Sequence, residues 1–536
     1  MKKLLLVLLL VTISVGLTGC KDKASYEGLD TGISGQIDLL LWSGSGEYLE
    51  DIGHQNLDET QLLAQNDAAT YYVAKEFNKI YPNVVINVLA VQGGPTDGRI
   101  WAQEIENYKT DNGVYPTIWA STDLAGDVAD GNVADLTRFA DDPFYKAMNP
   151  SIMQMMNYHG FQAGLPQYIL PWGIYVNKEL AEAQNLDVPE PNWTIEDYTD
   201  FQGNSEADEW YGSMDTPIRI IETGTNDIVK SLFDYQGENY VTLDSNEVKS
   251  LIPYFEEWND NAVYGNEVSD AMWADVGGWA YDWFRKGKLL TFEGDPWMMG
   301  DAAIPDETWW AAALIDDWDI YPRPSTDYTD NTIGIVLDPM AIYNSCLDDE
   351  NIACTVEEEA KIKLNYTFAS FWIADTASWT ARAEGMFTDE ANNKTSSSLN
   401  DSFPVTTGDL FDDQLNIWYT PVKHQRFSDP SVMPGFHEVI RIYEAGQFWD
   451  VSDKAYPYFY TVEGSRKPNL EEWRNYWDPN FNGGFEKGDA GFEDAVLGSL
   501  QKWSEDANIR FAQSFADLEA GLRTYYGYQD EDFDNN

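Results

Sequence analysis

Apolar positions in the first third of the chain fall into short continuous runs separated by stripes at helical spacing. The runs Ile37–Trp42, Val84–Val91 and Pro116–Ala120 are typical of buried strands. Between them, Ala69–Ile80 carries apolar residues at three- and four-residue spacing, and Arg99–Lys109 is also predicted to be helical. This alternation of strands and helices predicts an α/β fold built on a parallel sheet.

The same hydrophobic patterns predict strands and helices in the rest of the chain. Tyr168–Val176 and Ile333–Leu337 are predicted strands, and Ala360–Ala374 is a predicted apolar helix. Thr194 is a candidate N-cap for a helix at Ile195–Phe201. The remaining expectations are a helix at Val248–Trp258, a helix at Trp279–Phe284 followed by the run Leu289–Phe292, a polar loop at Thr388–Asp401, a C-terminal helix with the stripe Phe511, Phe515, Leu518 and Leu522, and a frayed acidic tail at Gln529–Asn536.

The first twenty residues have the pattern of an export signal. Lys2 and Lys3 precede the apolar stretch Leu4–Val15, which is too short to span a bilayer. The stretch ends in Leu-Thr-Gly-Cys, which resembles the lipobox of bacterial lipoproteins and implies cleavage before Cys20 and lipidation of Cys20. The alternatives are an ordinary signal peptide with a chance cysteine, or an uncut membrane helix. We expect residues 20–35 to form a flexible tether and the lipid to be the anchor on the outer face of the membrane.

The charge of the chain restricts its partners. It has 536 residues and a net charge of −58, and loss of Lys2 and Lys3 with the signal peptide would take this charge to −60. Such a field repels nucleic acid and anionic lipid headgroups. Apolar residues make up 43% of the chain and aromatic residues 14%, which is not the composition of a disordered protein.

Tryptophan and cysteine supply two further indications. The chain has 21 tryptophans, which serve either as core residues or as stacking surfaces for the apolar faces of sugars. Cys346 and Cys354 flank the acidic loop Leu347–Ala353. They are predicted either to form a disulfide, which an extracytoplasmic location permits, or to remain two free thiols.

Four segments resemble a known family in sequence and in order. They are Val73–Val88, Tyr115–Leu136, Gly164–Trp193 with its Leu-Pro and Tyr-x-Asn-Lys motifs, and Trp283–Trp297 with its Gly-x-x-Trp ending. Together they are similar to the family 1 extracellular solute-binding proteins, which are the receptors of bacterial ABC sugar importers. The resemblance covers most of the chain after the lipobox.

The resemblance implies a two-lobed fold, a function and a set of partners. The lobes would be hinge-linked, each with a mainly parallel sheet flanked by helices, and formed by residues 36–166 with 337–400 and by residues 167–336 with 401–536. The chain would cross between them near Pro166, Leu337 and Asn400. The implied function is non-enzymatic capture of a carbohydrate, in particular an oligosaccharide, by a monomer that delivers it to a membrane permease, without a required cofactor.

Candidate ligand-binding residues follow the predicted strands. Trp42 and Glu47 come after the first strand, and Trp119 and Asp123 come after the third. The resemblance implies sugar contacts for a tryptophan and an aspartate at the latter place. Trp119 could instead belong to the core, and Asp123 could instead cap a helix.

Further candidates lie in the other two matching segments. The resemblance implies that Trp297 stacks on a sugar ring, and Tyr168 and Trp172 are predicted to extend the wall of the site. Trp279 and Asp282 are additional candidates before the Trp297 turn. Leu170 stands where the maltose-binding relative carries a ligand-contacting glutamate, which argues against a maltodextrin ligand.

A separate stretch has the spacing of a calcium loop. Asp478, Asn480, Asn482, Gly484, Glu486 and Asp489 occupy the ligand positions, and Gly483 occupies the turn position. An aspartate replaces the usual glutamate at the last position. The stretch is predicted either to hold a structural calcium ion or to be a Gly/Asn-rich turn.

Two other classes of protein remain possible from the sequence. A secreted glycoside hydrolase also combines tryptophans with carboxylates, although the chain has no Gly-x-Ser-x-Gly or His-Glu-x-x-His motif. A receptor for a peptide or another non-sugar solute has the same fold. Sugar release from an oligosaccharide mixture identifies the hydrolase.

Replacement of Trp297 tests the predicted binding site. We expect Trp297→Ala to lose most sugar affinity and to leave the melting temperature without ligand nearly unchanged, because a cleft tryptophan contacts ligand rather than core. Titration calorimetry and thermal unfolding measure the two quantities. A large fall in the ligand-free melting temperature would assign Trp297 to the core.

Overall fold

The computed structural model describes residues 31–43, 48–92, 101–202, 210–213, 280–294, 315–329, 331–347, 354–389, 394–450 and 492–533, with short pieces at 246, 249–250, 254, 274, 452, 454–456, 459–460 and 466–467. The strands in these residues are β1 Ser34–Ser43, β2 Asn83–Gln92, β3 Ile118–Ala120, β4 Asn157–Tyr158, β5 Phe161–Gln162, β6 Gly164–Asn177, β7 Thr291–Gly294, β8 Trp318–Tyr321, β9 Ile333–Ile342, β10 Met386–Asp389, β11 Lys394–Ser397, β12 Phe448–Asp450, β13 Phe459–Tyr460 and β14 Arg466–Lys467.

The helices of the described residues are mostly short, apart from three long ones. They are α1 Gln65–Ile80, α2 Trp101–Asn112, α3 Leu124–Ala129, α4 Pro143–Ala147, α5 Pro150–Met155, α6 Lys178–Gln184, α7 Ile195–Gln202, α8 Ala280–Arg285, α9 Val356–Ala374, α10 Thr376–Glu384, α11 Asp409–Trp418, α12 Pro434–Glu444, α13 Phe492–Tyr526 and α14 Asp530–Phe533. Single 3₁₀ turns lie at Ile52–His54, Leu136–Phe139 and Ser345–Leu347, and a longer one at Val422–Ser428.

The N-terminal α/β unit forms as the hydrophobic pattern predicts. β1 pairs in parallel with both β2 and β3, and α1 and α2 connect the strands. The buried face of α1 includes Val73 and Phe77. Its end is set by Asn78, whose side-chain amide donates to the carbonyls of Tyr81 and Val84 and turns the chain into β2. The predicted α7 is also present, with Thr194 accepting from the Asp197 backbone N–H at 3.1 Å.

The sheet is mixed rather than mainly parallel, which corrects one detail of the predicted fold. β9 pairs antiparallel with β3 and β6, and β6 pairs antiparallel with β7 and β8. The parallel pairs arise where a helix returns the chain to the same end of the sheet. The antiparallel pairs all involve β6 or β9, which run in opposite directions through the middle of the sheet.

The longest described apolar helix of the core is α9, which begins at a capping box formed by Thr355 and Glu358. Its second half is buried and packs on β1, β6 and β9. Phe368 and Phe371 meet the ring of Phe77 from α1 at centroid distances of 5.1 and 5.5 Å. The core therefore joins the sheet to the helices on one of its faces.

The C-terminal helix α13 confirms the predicted apolar stripe. Phe511, Phe515, Leu518 and Leu522 are all buried. The end of the helix packs on α3, and the Tyr526 hydroxyl donates to the Val133 carbonyl at 2.7 Å. The sequence assigns this end of the chain to the second lobe, but it contacts α3 and Val133, which are assigned to the first lobe. The lobe boundaries themselves stay a prediction.

Two predicted irregular segments are partly regular. The segment predicted as a polar loop from Thr388 contains the end of β10 and all of β11, which pair as an antiparallel hairpin. Threonine has strand propensity even on an exposed surface, and Thr388 faces Thr395 across the hairpin. The tail from Gln529 is not frayed throughout, because α14 is held by an Arg523–Asp530 ion pair and by the Arg523 guanidinium over the Phe533 ring.

The structure decides between the two alternatives for the cysteines. Cys346 and Cys354 form a disulfide with a Cα–Cα distance of 4.6 Å. It closes a loop between β9 and the N-terminus of α9.

Several expectations lie outside the described residues. They are the signal peptide, the lipidation site Cys20, most of the tether, the candidates Glu47, Trp279 and Trp297, most of the helix at Val248–Trp258, and the calcium loop with Asp478, Asn480, Asn482, Gly484, Glu486 and Asp489. These stay predictions. Within the part of the chain that the structure describes, no helix has both the length and the apolar character needed to cross a membrane.

Two glycines of α13 test the contact between this helix and α3. A Cβ at Gly521 would lie 2.5 Å from the backbone of Ala129, whereas a Cβ at Gly498 would meet nothing within 4 Å. We expect Gly521→Ala to destabilise the protein by about 1–2 kcal/mol because the helix must move away from α3. Gly498→Ala is the matched control and should stabilise by up to ~1 kcal/mol through helix propensity.

Urea unfolding of the two variants and the parent measures both effects. Equal and favourable shifts for the two alanines would show that α13 does not pack on α3 in solution.

Candidate functional site

Two strands carry the chain through the middle of the sheet. Residues 164–172 of β6 pair with residues 334–341 of β9, and β6 then exchanges β9 for β7 and β8 at Gly173. A Cβ at Gly173 would lie 2.5 Å from the Tyr321 carbonyl oxygen, so the new partner approaches closely only because this residue is glycine. The two strands therefore connect the N-terminal unit with the β7–β8 unit.

On the side of β9 that faces away from β6, the neighbouring strand also changes along its length. β12 pairs with β9 at Ile333–Ile335, and β3 pairs with it at Met340–Ile342. Between these two pairings, the backbone of Leu337 bonds to the side chains of Asp450 and Ser452. On the outer side of β6, the Phe403 N–H donates to the Ile169 carbonyl at 2.7 Å. Four chain segments thus lie side by side here.

One face of these strands is accessible. Successive strand residues point to opposite sides, and Tyr168, Leu170 and Trp172 of β6 lie on the same side as Val336 and Asp338 of β9. We call these five residues the crossing face. Leu170, Trp172, Val336 and Asp338 are half-buried and Tyr168 is 7% exposed, whereas Ile169, Ile335 and Leu337 on the opposite side are fully buried.

A lysine holds the carboxylate of the crossing face. Lys454 forms an ion pair with Asp338, and both side chains keep part of their surface exposed, 19% and 14%. The backbone carbonyl of Lys454 accepts from the Leu124 N–H at 2.8 Å, which places the lysine beside the N-terminus of α3. The carboxyl end of β3 therefore meets the crossing face at this ion pair.

Asp123 takes the capping role that was one of its two predicted roles. It is the N-cap of α3, and its carboxylate accepts from the Gly126 N–H at 3.1 Å. The residue is half-buried and directly precedes Leu124, the neighbour of Lys454. A contact between Asp123 and a ligand stays a prediction.

Trp119 lies in the core. It has no exposed surface, its indole N–H donates to Asp127 at 3.0 Å, and its ring stacks on Tyr115. In this conformation the residue contacts protein on all sides, which favours the core alternative over ligand contact. The strand pattern showed that Trp119 ends a strand but not that its side chain points inward.

The remaining described candidates are spread over the two units. Tyr168 and Trp172 share the crossing face as predicted neighbours, and burial raises the pKa of Tyr168 to about 12. Trp42 lies in β1, near its carboxyl end. Asp282 lies in α8, where it pairs with Arg285 at 3.2 Å.

Asp338 and Lys454 belong to the candidate site, and the sequence analysis missed both. Asp338 directly follows the predicted strand Ile333–Leu337, and its period-two spacing from Val336 was a usable signal. Lys454 gave none, because 116 residues separate it from Asp338 along the chain.

Asp450, the last residue of β12, is a buried carboxyl group that interacts with the charge of Lys454. It has no exposed surface, and burial raises its pKa to about 6. Hydrogen bonds from Ser452 and Leu337 and the charge of Lys454 act in the opposite direction.

Comparison with known proteins identifies the fold. No protein-family model and no curated protein matches the chain. Among solved structures, an ABC substrate-binding protein from Listeria monocytogenes in complex with cycloalternan matches with a TM-score of 0.52 and 15% identity, covering 93% of this chain and 100% of that chain. A sugar transporter from Rhizobium etli in an open conformation matches with a TM-score of 0.51 and 14% identity over 92% and 100% of the two chains.

A third structure agrees with these two. The family 1 extracellular solute-binding protein from Alicyclobacillus acidocaldarius matches with a TM-score of 0.51 and 12% identity, covering 89% of this chain and 100% of that chain. At such identities the likeness establishes the fold. The chain has the two-lobed α/β fold of the family 1 extracellular solute-binding proteins.

Proposed function

We propose that this protein is a receptor that captures a carbohydrate between its two lobes and delivers it to an ABC importer. The observation that carries the proposal is the crossing face, an accessible aromatic and apolar surface with one ion-paired carboxylate at the meeting point of the two units. The fold supports it, since the similar structures include an ABC substrate-binding protein in complex with cycloalternan and a sugar transporter.

The side chains of the crossing face suit a sugar. The indole of Trp172, with Leu170 and Val336 beside it, offers an apolar surface for the C–H face of a pyranose ring. Asp338 accepts hydrogen bonds from hydroxyl groups, and Lys454 donates to hydroxyl oxygens. Carboxylate and ammonium groups that are held in one orientation select for the positions of hydroxyls on the ring.

Closure of the lobes is the means by which capture is signalled. A ligand that contacts both units binds the closed form more tightly than the open form and so shifts the population toward it. Trp42, Glu47, Trp279 and Trp297 are the further contacts that we expect to surround the ligand. A permease in the membrane then recognises the closed form.

The finer properties of the receptor follow from the sequence. The net charge of −58 favours a neutral ligand over an anionic one. Leu170 on the crossing face replaces the acidic residue expected for a maltodextrin ligand, and the family resemblance of the sequence implies an oligosaccharide. The receptor is held at the outer face of the membrane through a lipid on Cys20 and acts as a monomer.

The geometry disfavours the hydrolase alternative. Glycoside hydrolysis requires two carboxyl groups on either side of the scissile bond. Among the described residues of the crossing face only Asp338 carries a carboxyl group, and it is paired with Lys454. A receptor for a peptide or another non-sugar solute is the alternative that the ligand panel must exclude.

Thermal unfolding of residues 21–536 with neutral mono- and oligosaccharides, and with peptides as controls, tests the proposal. A ligand at 100 times its dissociation constant adds roughly 2.7 kcal/mol of stability, which appears as a higher melting temperature. We expect a rise with one class of sugar. Trp172→Ala and Asp338→Asn should each weaken binding of that sugar by about tenfold or more, since each removes a ligand contact.

Tyr525→Ala is the matched control, because Tyr525 is an aromatic residue of α13 that is 37% exposed and lies beside Gly131, which is not part of the crossing face. It should bind the sugar as the parent does. A rise with peptides and none with sugars, or full affinity in Trp172→Ala, would refute carbohydrate capture at the crossing face.

A further inference from the structure

Two side chains replace a neighbouring strand at the midpoint of β9. The Leu337 N–H lies 3.2 Å from Asp450 Oδ1 and 3.2 Å from Ser452 Oγ. Ser452 Oγ also lies 2.8 Å from the Leu337 carbonyl oxygen. We call this arrangement of Asp450 and Ser452 the Leu337 clamp. It lies between the level where β12 pairs with β9 and the level where β3 pairs with it.

The clamp has two possible hydrogen-bond patterns. The Ser452 hydroxyl is within reach of both Asp450 Oδ1, at 2.6 Å, and the Leu337 carbonyl, at 2.8 Å. A hydroxyl carries one hydrogen and donates to only one of them at a time. An ionised carboxylate is the stronger acceptor, so ionisation directs the hydroxyl to Asp450 and leaves two oxygens for the Leu337 N–H.

The surroundings of Asp450 allow it to titrate. Its Oδ2 is buried and has no hydrogen-bond partner among the described residues, so one oxygen is available for a proton. Burial raises the pKa of Asp450 to about 6. Among the described residues, the charged and titratable groups that face it are Lys454 and Tyr456 on its own segment, with the Tyr456 hydroxyl donating to the Asp450 carbonyl. From other elements they are Asp338 on β9, Tyr158 on β4 and, through Tyr158, Asp123 and Asp127 at α3.

We propose that Asp450 and Ser452 are positioning residues of the crossing face, and that ionisation of Asp450 strengthens ligand binding. The proposal rests on the proposed function for its ligand. Leu337 directly precedes Asp338, so the clamp on the Leu337 backbone orients the Asp338 carboxylate. Ionised Asp450 also attracts Lys454, which is paired with Asp338 in the structure, and this weakens the hold of Lys454 on the Asp338 oxygens that accept hydroxyl groups.

The hold on the Leu337 N–H and the release of Asp338 from Lys454 both strengthen ligand binding when Asp450 is ionised. Above the pKa of Asp450, the Leu337 N–H is held by a charged acceptor and Asp338 is available to the ligand. Below it, the hydroxyl of Ser452 turns to the Leu337 carbonyl and the Asp338–Lys454 pair closes. By linkage, ligand binding then lowers the pKa of Asp450 and releases a proton near pH 6.

The experiment measures affinity for the sugar identified in the panel between pH 5 and pH 7.5, by calorimetry in two buffers of different ionisation enthalpy. We expect affinity to rise at least about fivefold with pH, with proton release near the midpoint. Asp450→Asn should bind with no such dependence. Ser452→Ala should move the midpoint upward, because hydrogen bonds from Ser452 lower the pKa of Asp450.

A variant of His159 excludes this histidine as the source of the pH dependence. His159 is adjacent to Tyr158 and half-buried, and His159→Gln should keep the pH profile of the parent. An affinity that does not change with pH in the parent, or a profile that persists in Asp450→Asn, overturns the coupling.

Hydrogen exchange of the Leu337 amide tests the clamp without a ligand. After correction for the intrinsic exchange rate, protection should be greater at pH 7.5 than at pH 5 in the parent and independent of pH in Asp450→Asn. Equal protection at both pH values in the parent overturns the clamp. If no sugar in the panel binds, the proposed function fails, and exchange at Leu337 still decides for or against the clamp.

Discussion

The structure depends on the antiparallel pairing of β6 and β9. These two strands belong to both units: β6 pairs with β9 along its first part and with β7 and β8 from Gly173 on, and the other side of β9 pairs with β12 at one end and with β3 at the other. A strand buried on one face must satisfy every backbone group along its length. At the midpoint of β9 no strand of the described residues pairs with its outer side, and the side chains of Asp450 and Ser452 bond to its backbone instead.

This constraint also accounts for the position of the site. Where the two units share β6 and β9, these strands present one face to the core and leave the other face partly exposed. On the core side Ile169, Ile335 and Leu337 are buried, and on the other side Trp172 and Asp338 stay accessible. In the proposed receptor, ligand affinity and lobe closure would therefore depend on the same few residues.

Because the chain is so acidic, the carboxylates beside which its few lysines lie are of interest. With 33 basic and 91 acidic residues, most carboxylates have no cation of their own. Lys454 is nevertheless placed on Asp338, beside the buried Asp450. A single cation between two carboxyl groups makes the charge of one sensitive to the protonation of the other, because the local dielectric constant is low.

The sequence by itself determined the local elements, because strand and helix periodicities are read over a few residues. β1, α1, β2 and the stripe of α13 followed from spacing alone, and Tyr168 and Trp172 were recognised as neighbours. Only the tertiary structure decided that Trp119 points into the core, that Cys346 and Cys354 pair, and that Lys454 meets Asp338. Strand register and long-range pairing set the positions of Trp119 and Lys454, and a one-residue change of register in β6 or β9 would turn that strand's side chains away from the crossing face.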